Sequence, residues 1–206
     1  GGGGGSVTPP TGPSEPSEPE EPTDPVLPPD PAPSFTDVPR DAYYSAAVDW
    51  AISKGITTGT GNGQFSPNAS CTRGEMVTFL WRAAGSPAPS GGGSFTDVPA
   101  DAYYHDAVLW AAQQGITTGT GAGIFDPNAT VTRAQTVTFL YRFAGSPDIS
   151  GGSSFGDVAS GTYYSDAVAW AVANFITTGN GENTFGPADD CTRAQIVTFL
   201  FRQLAE

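Results

Sequence analysis

Every landmark side chain in this sequence returns sixty residues later, and then sixty residues later again. Phe35, Phe95 and Phe155 open three copies; Trp50, Trp110 and Trp170 follow at equal offsets, and then Arg73, Arg133 and Arg193. The first two copies, aligned from Ser34 to Pro87 and from Ser94 to Pro147, agree at 37 of 54 positions without a gap. A period of this length means one supersecondary unit used repeatedly, so the fold must be read per unit. A functional group in one copy is then expected at three sites.

Each copy reads as loop, helix, loop, helix, which makes the chain all-α. Repeat boundaries fall at 34–88, 94–148 and 154–206. Asp41 is expected to cap the first helix of repeat 1. Tyr44, Ala47, Val48 and Ala51 follow at helical spacing, and Gly55 supplies the left-handed residue that ends it. Repeat 2 does the same from Asp101 to Gly115. In repeat 3, Gly161-Thr162 replaces the capping pair and Asn174-Phe175 stands where Gly is expected. That helix should be less regular at both ends, with Asn174 taking the left-handed role.

A glycine-rich loop, Thr57 to Gly63, closes on Phe65 and Pro67 with a short extended segment expected around the Phe. The second helix has a sharper start. Thr72-Arg73-Gly74-Glu75 is a capping box, repeated as Thr132…Gln135 and Thr192…Gln195. Met76, Val77, Leu80 and Ala84 form its buried stripe, and Gly85-Ser86-Pro87 stops it. Neither helix buries its stripe alone, so three pairs must share one core.

Residues 1–33 differ in kind. They are rich in Pro, Gly and Glu, hold no Lys or Arg, and predict a disordered, extended linker. Of the formal net charge of −13, the repeats carry 15 acidic against 8 basic groups. An acidic surface argues against nucleic acid and gives no attraction to anionic lipid. No apolar run approaches the ~18 residues of a membrane span. Low Lys content with high Thr, Gly and Asn suggests a secreted bacterial protein, and the chain reads as the end of something longer.

Cys71 and Cys191 occupy one slot in repeats 1 and 3, where repeat 2 has Val131. The slot reads as two buried small hydrophobes, or as a disulfide if repeats 1 and 3 meet in a closed arrangement. The spacing fits no metal motif.

Arg73, Arg133 and Arg193 stand out because a cation in the first turn opposes the helix dipole. A ligand anion beside free helix amides explains them, as does a salt bridge to Asp37, Asp97 or Asp157. Those Asp residues read as side-chain-capped turns or as partners of sugar hydroxyls. Trp50, Trp110 and Trp170 read as core, or as partly exposed rings that stack on a sugar. The tyrosine pairs (Tyr43-Tyr44 and its equivalents) read as core plus rim. Arg82, Arg142 and Arg202 lie in the last turn, where the dipole alone accounts for them. The glycine loop lacks the Lys of a phosphate loop and the spaced carboxylates of a calcium loop. His105 occurs once and reads as a surface residue. No nucleophile–base pair recurs, so no catalysis, cofactor or metal is indicated.

The spaced pattern Ser34-Phe35-Thr36-Asp37-Val38…Tyr44…Trp50-Ala51…Gly55-Ile56…Gly59…Phe65-Ser66-Pro67…Thr72-Arg73-Gly74-Glu75 resembles the S-layer homology repeat. The resemblance covers nearly all of residues 34–206. It implies a pseudo-threefold helical assembly that anchors secreted proteins noncovalently to the secondary polysaccharide of Gram-positive cell walls. The implied ligand is a pyruvylated N-acetylmannosamine bound in grooves between repeats, with the helix-start Arg facing its carboxylate. The family signature is Thr-Arg-Ala-Glu. Its Glu survives here only as Glu75, with Gln135 and Gln195 in the other copies, so the latter grooves should be weaker or differently selective. The alternative role is self-assembly or protein binding within a surface layer.

Overall fold

A computed structural model describes residues 1–2, 35–91, 95–152 and 154–205. The expectation of a disordered linker over residues 1–33 lies almost wholly outside them. Each repeat contributes two helices. The first of each pair are α1 (Ser45–Ser53), α3 (His105–Gln113) and α5 (Ser165–Ala173). The second are α2 (Arg73–Ala83), α4 (Arg133–Phe143) and α6 (Arg193–Leu204).

The starts of α2, α4 and α6 follow the capping box. Thr72 Oγ1 accepts from the Glu75 amide at 3.2 Å, and the Glu75 carboxylate accepts from the Thr72 amide at 2.9 Å. Gln135 and Gln195 do the same from Thr132 and Thr192. The first helices begin differently from expectation. Tyr44, Tyr104 and Tyr164 precede them, and none carries a side-chain cap. Backbone turns take over that role in repeat 1: the Ala42 amide donates to Pro39 and the Ser45 amide to Ala42. Asp41 therefore caps nothing at the helix start.

Gly55 and Gly115 end α1 and α3 at φ 68° and 69°. In repeat 3 the left-handed position falls to Phe175 at φ 57°, not to Asn174 at φ −99°. Asn174 instead donates its side-chain amide to the Trp170 carbonyl at 2.8 Å. The approach to α5 differs as well: Gly161 is left-handed at φ 77°, and the Thr162 hydroxyl donates to the Ala159 carbonyl where repeats 1 and 2 use a backbone amide, although the helix keeps the nine-residue length of α1 and α3. In the loop, a Cβ on Gly59 would lie 2.4 Å from the Gln64 carbonyl and the Phe35 ring, so only glycine fits there. The expected extended segment is reduced to an isolated bridge between Gly61 and Gln64.

The second helix of each repeat packs on the first helix of the next: α2 on α3, α4 on α5, and α6 back on α1. The last contact closes a ring. At its centre the Val131 amide donates to Cys71, the Cys191 amide to Val131, and the Cys71 amide to Cys191, at 2.9, 2.9 and 3.0 Å. The pseudo-threefold order is thus visible in single hydrogen bonds. Cys71 and Cys191 are buried free thiols in this ring. One apolar core runs through all three repeats, with Phe65, Phe125 and Phe185 fully buried in it.

Candidate functional site

Each helix-start arginine leaves its own repeat and enters the next. Arg73 donates Nε to the Phe125 carbonyl at 2.9 Å, Arg133 to Phe185 at 2.8 Å, and Arg193 to Phe65 at 2.9 Å. Each guanidinium also lies over two rings; for Arg73 these are Phe125 at 4.8 Å and Phe139 at 5.5 Å. All three are only 3% exposed. Burial pulls the pKa of Arg73 and Arg133 down from the usual value, with nearby Asp126 and Asp97 opposing it at Arg73. An arginine nonetheless keeps its charge in a protein.

The expected free helix amides are occupied. The Arg73 amide donates to Ala129 and the Gly74 amide to Pro127, while the Glu75 amide goes to its cap. The equivalents in repeats 2 and 3 are bonded alike. The first turns of these helices therefore offer no free amide to an anion.

The Asp set is one step removed. Asp37 accepts from the amides of Phe65 and Ser66, both at 2.8 Å. Asp97 holds Phe125 and Asp126, and Asp157 holds Phe185 and Gly186. These are the segments whose carbonyls receive the arginines. Each Asp therefore positions an Arg through a Phe backbone and forms no direct ion pair with it. Burial raises the pKa of Asp97 and Asp157, but the amides outweigh it and hold both below the ordinary value.

The arginines line three related hollows, each built from all three repeats. The Arg73 hollow, about 420 Å³, takes its loop (Thr117–Thr120), Gln135 and Arg142 from repeat 2 and Tyr163 from repeat 3. The Arg193 hollow, about 340 Å³, takes Thr57–Thr60, Glu75 and Arg82 from repeat 1 and Tyr103 from repeat 2. The Arg133 hollow, about 240 Å³, takes Thr177–Asn180, Gln195 and Arg202 from repeat 3 and Tyr43 from repeat 1. Each combines a buried cation, hydroxyl groups, an amide or carboxylate, and an aromatic rim. That set suits a small polar ring bearing a negative charge.

The tryptophans do not line these hollows. Trp50 packs edge-on against Phe201 and Trp110 against Phe143, while Trp170 packs tilted against Tyr141. Phe139, Phe79 and Phe199 line the hollow walls, and the exposed aromatics at their rims are Tyr43, Tyr103 and Tyr163, which are 66, 61 and 61% exposed. Sequence reading placed one tyrosine of each pair on a rim but no ligand beside it. It also missed Arg82, Arg142 and Arg202, whose Nη1 atoms donate to the carbonyls of Ile56, Ile116 and Ile176 at the hollow wall. The available signal was that both features recur three times at equal offsets. Among the described residues no cluster of His, Cys, Asp or Glu is arranged to hold a metal.

A family model for the S-layer homology domain matches residues 34–77, 94–137 and 154–197. A surface-layer 125 kDa protein of Lysinibacillus sphaericus is 30% identical over 79% of this chain and 14% of its own length. A cell surface protein of Thermoanaerobacter kivui is 35% identical over 56% of the chain and 16% of its own length. An amylopullulanase of Thermoanaerobacterium thermosulfurigenes is 25% identical over 82% of the chain and 9% of its own length. The chain thus spans less than a fifth of each of these relatives.

Proposed function

We infer the function of this chain from one premise: it belongs to the S-layer homology domain family, whose repeat it carries three times. Its relatives are surface-layer and cell-surface proteins, and the chain is accordingly a secreted, cell-surface module. It serves as a noncovalent anchor to a cell-wall polymer. The finer reading is that the polymer is a secondary polysaccharide with an acidic, pyruvylated sugar, and that each hollow is built for one such sugar. The protein it anchors is larger than the module; among the relatives one carries the name of a starch-degrading enzyme, and no catalytic role is assigned to these repeats.

The observation that carries this reading is the buried guanidinium at the base of each hollow. A charge held this far from water favours a ligand that brings a carboxylate, most of all at Arg73 and Arg133, which have a buried nitrogen without a partner among the described residues, whereas Arg193 is paired with Glu75. The threonine hydroxyls and the Gln side chains suit ring hydroxyls, and the exposed tyrosine offers an apolar surface to the sugar. Sites within one rigid module reinforce one another on a repetitive polymer without new contacts.

The alternative, self-assembly in a surface layer, calls for an exposed apolar patch. The large exposed apolar side chains among the described residues are three hollow tyrosines, Ile124 and Phe175. The tyrosines already belong to saccharide-sized hollows, which favours the wall ligand. Sedimentation with purified cell walls, before and after extraction of the secondary polysaccharide, tests the reading. Binding is expected to vanish on extraction; retained binding would assign the module to peptidoglycan or a protein partner.

A further inference from the structure

We propose that the Arg133 hollow is the first of three adjoining subsites, and that the two beyond it take neutral sugars of the same polymer chain. This rests on the saccharide reading above and extends it from one sugar to several. Shared side chains join the three. Arg202 lines the Arg133 hollow and also a second hollow, of about 430 Å³, at the ends of α4, α5 and α6. Trp170 and Asn174 line that second hollow and also a third, of about 440 Å³, between residues 147–152 and α5. Each of these two is large enough for a small polar ring.

The chemistry changes along this line. Arg202 stands at the first boundary, exposed, with Nη1 donating to the Ile176 carbonyl at 3.0 Å. A guanidinium carries five N–H donors, so a sugar hydroxyl on either side can still be met. The second hollow adds the side-chain amides of Asn174 and Gln203 beside the rings of Phe143 and Trp170. The third adds the Asp148 carboxylate and the Ser150 hydroxyl, with Trp170 contributing only the 6% of its surface that is exposed. Among the described residues that line these two hollows, Asp148 is the only formal charge beyond Arg202. A carboxylate accepts from ring hydroxyls and repels a second acid, so the sugars beyond the first are neutral.

Departures of the third repeat from the second account for the opening. In repeat 2 the incoming linker is strapped to α3: Gln113 Oε1 accepts from the Ser90 amide at 2.9 Å, and its side-chain amide donates to the Gly91 carbonyl. Sixty residues on stands Ala173, which has no group to hold the linker before repeat 3. The Tyr141 hydroxyl still fixes the start of that linker, donating to the Pro147 carbonyl at 3.0 Å. The third hollow lies just beyond this point. Gln203, in turn, puts an amide where repeat 2 has the apolar Phe143.

The test is NMR titration of the ¹⁵N-labelled full chain with two probes. One is the methyl glycoside of pyruvylated N-acetylmannosamine; the other is a trisaccharide fraction released from the wall polysaccharide that keeps the pyruvylated sugar at its end. Both should shift the amides of Gly179 and Asn180 in the Arg133 hollow. Only the trisaccharide should also shift Ser150 and Asn174, and it should bind there at least about tenfold more tightly than the single sugar. Ala173→Gln gives repeat 3 the strap that repeat 2 already carries. It should erase this gain and leave binding of the single sugar unchanged. A trisaccharide that shifts only Gly179 and Asn180 and binds no more tightly, or an Ala173→Gln protein of unchanged helicity that keeps the gain, would overturn the extended cleft while leaving the saccharide function standing. No shift with either probe would overturn both.

Discussion

At the scale of single residues, the site is a relay. Asp97 fixes two amides, the Phe125 carbonyl between them and Arg73 is fixed in turn, and only the guanidinium meets the hollow. Asp97→Asn keeps the shape but loses the charge and one good acceptor. It should cost about 1–3 kcal/mol of stability and weaken sugar binding at the Arg73 hollow, read by urea unfolding and titration. The pH dependence has a definite sign. The folded pKa of Asp97 and Asp157 lies below the ordinary 3.8, so their stabilisation is complete above that value and is lost as pH falls through the folded one. Unfolding curves at pH 6, 4 and 3 should show this loss, with a shallower dependence in Asp97→Asn. The two thiols give a separate check. Burial raises the Cys71 pKa well above normal and pushes Cys191 to about 11. Neither should react with iodoacetamide in the native protein at pH 7.5, and both should react after unfolding, as counted by mass spectrometry.

At the scale of the helix, the two kinds of start explain what a sequence can reveal. The boxes at Thr72, Thr132 and Thr192 are side-chain devices with fixed spacing, so α2, α4 and α6 were readable to the residue. Thr132→Ala should cost about 1 kcal/mol by urea unfolding. The starts of α1, α3 and α5 are made by backbone turns, which any residue can form, and Asp41 misled for that reason. Phe175 is the converse case, a residue in a conformation its type disfavours. It stands 81% exposed with φ 57°, where Gly55 and Gly115 stand in the other copies. Phe175→Gly should therefore stabilise the protein by about 1 kcal/mol, and equal or lower stability would mean the Phe side chain contributes packing that offsets its strain.

At the scale of the molecule, the decisive fact is closure. The α6–α1 contact and the ring of bonds through Cys71, Val131 and Cys191 make the first and last repeats neighbours. Periodicity alone could not supply closure, being equally compatible with an open stack; the pseudo-threefold expectation came from the family resemblance. The arginines were legible from their disfavoured place in the helix. Their hollows were not, since each needs a tyrosine and a loop brought from two other repeats. An open solenoid tolerates loss of a terminal unit, whereas a closed ring does not. Truncation after residue 148 should leave α1 without its partner and abolish a cooperative thermal transition.

The central claim is that a buried guanidinium in a hollow shared by three repeats holds the carboxylate of a wall sugar. The most direct measurement is co-sedimentation of the chain with purified cell walls before and after mild-acid removal of the pyruvyl ketal, with the polymer otherwise intact. The account predicts that binding is lost with the ketal. Undiminished binding to the depyruvylated walls would contradict it.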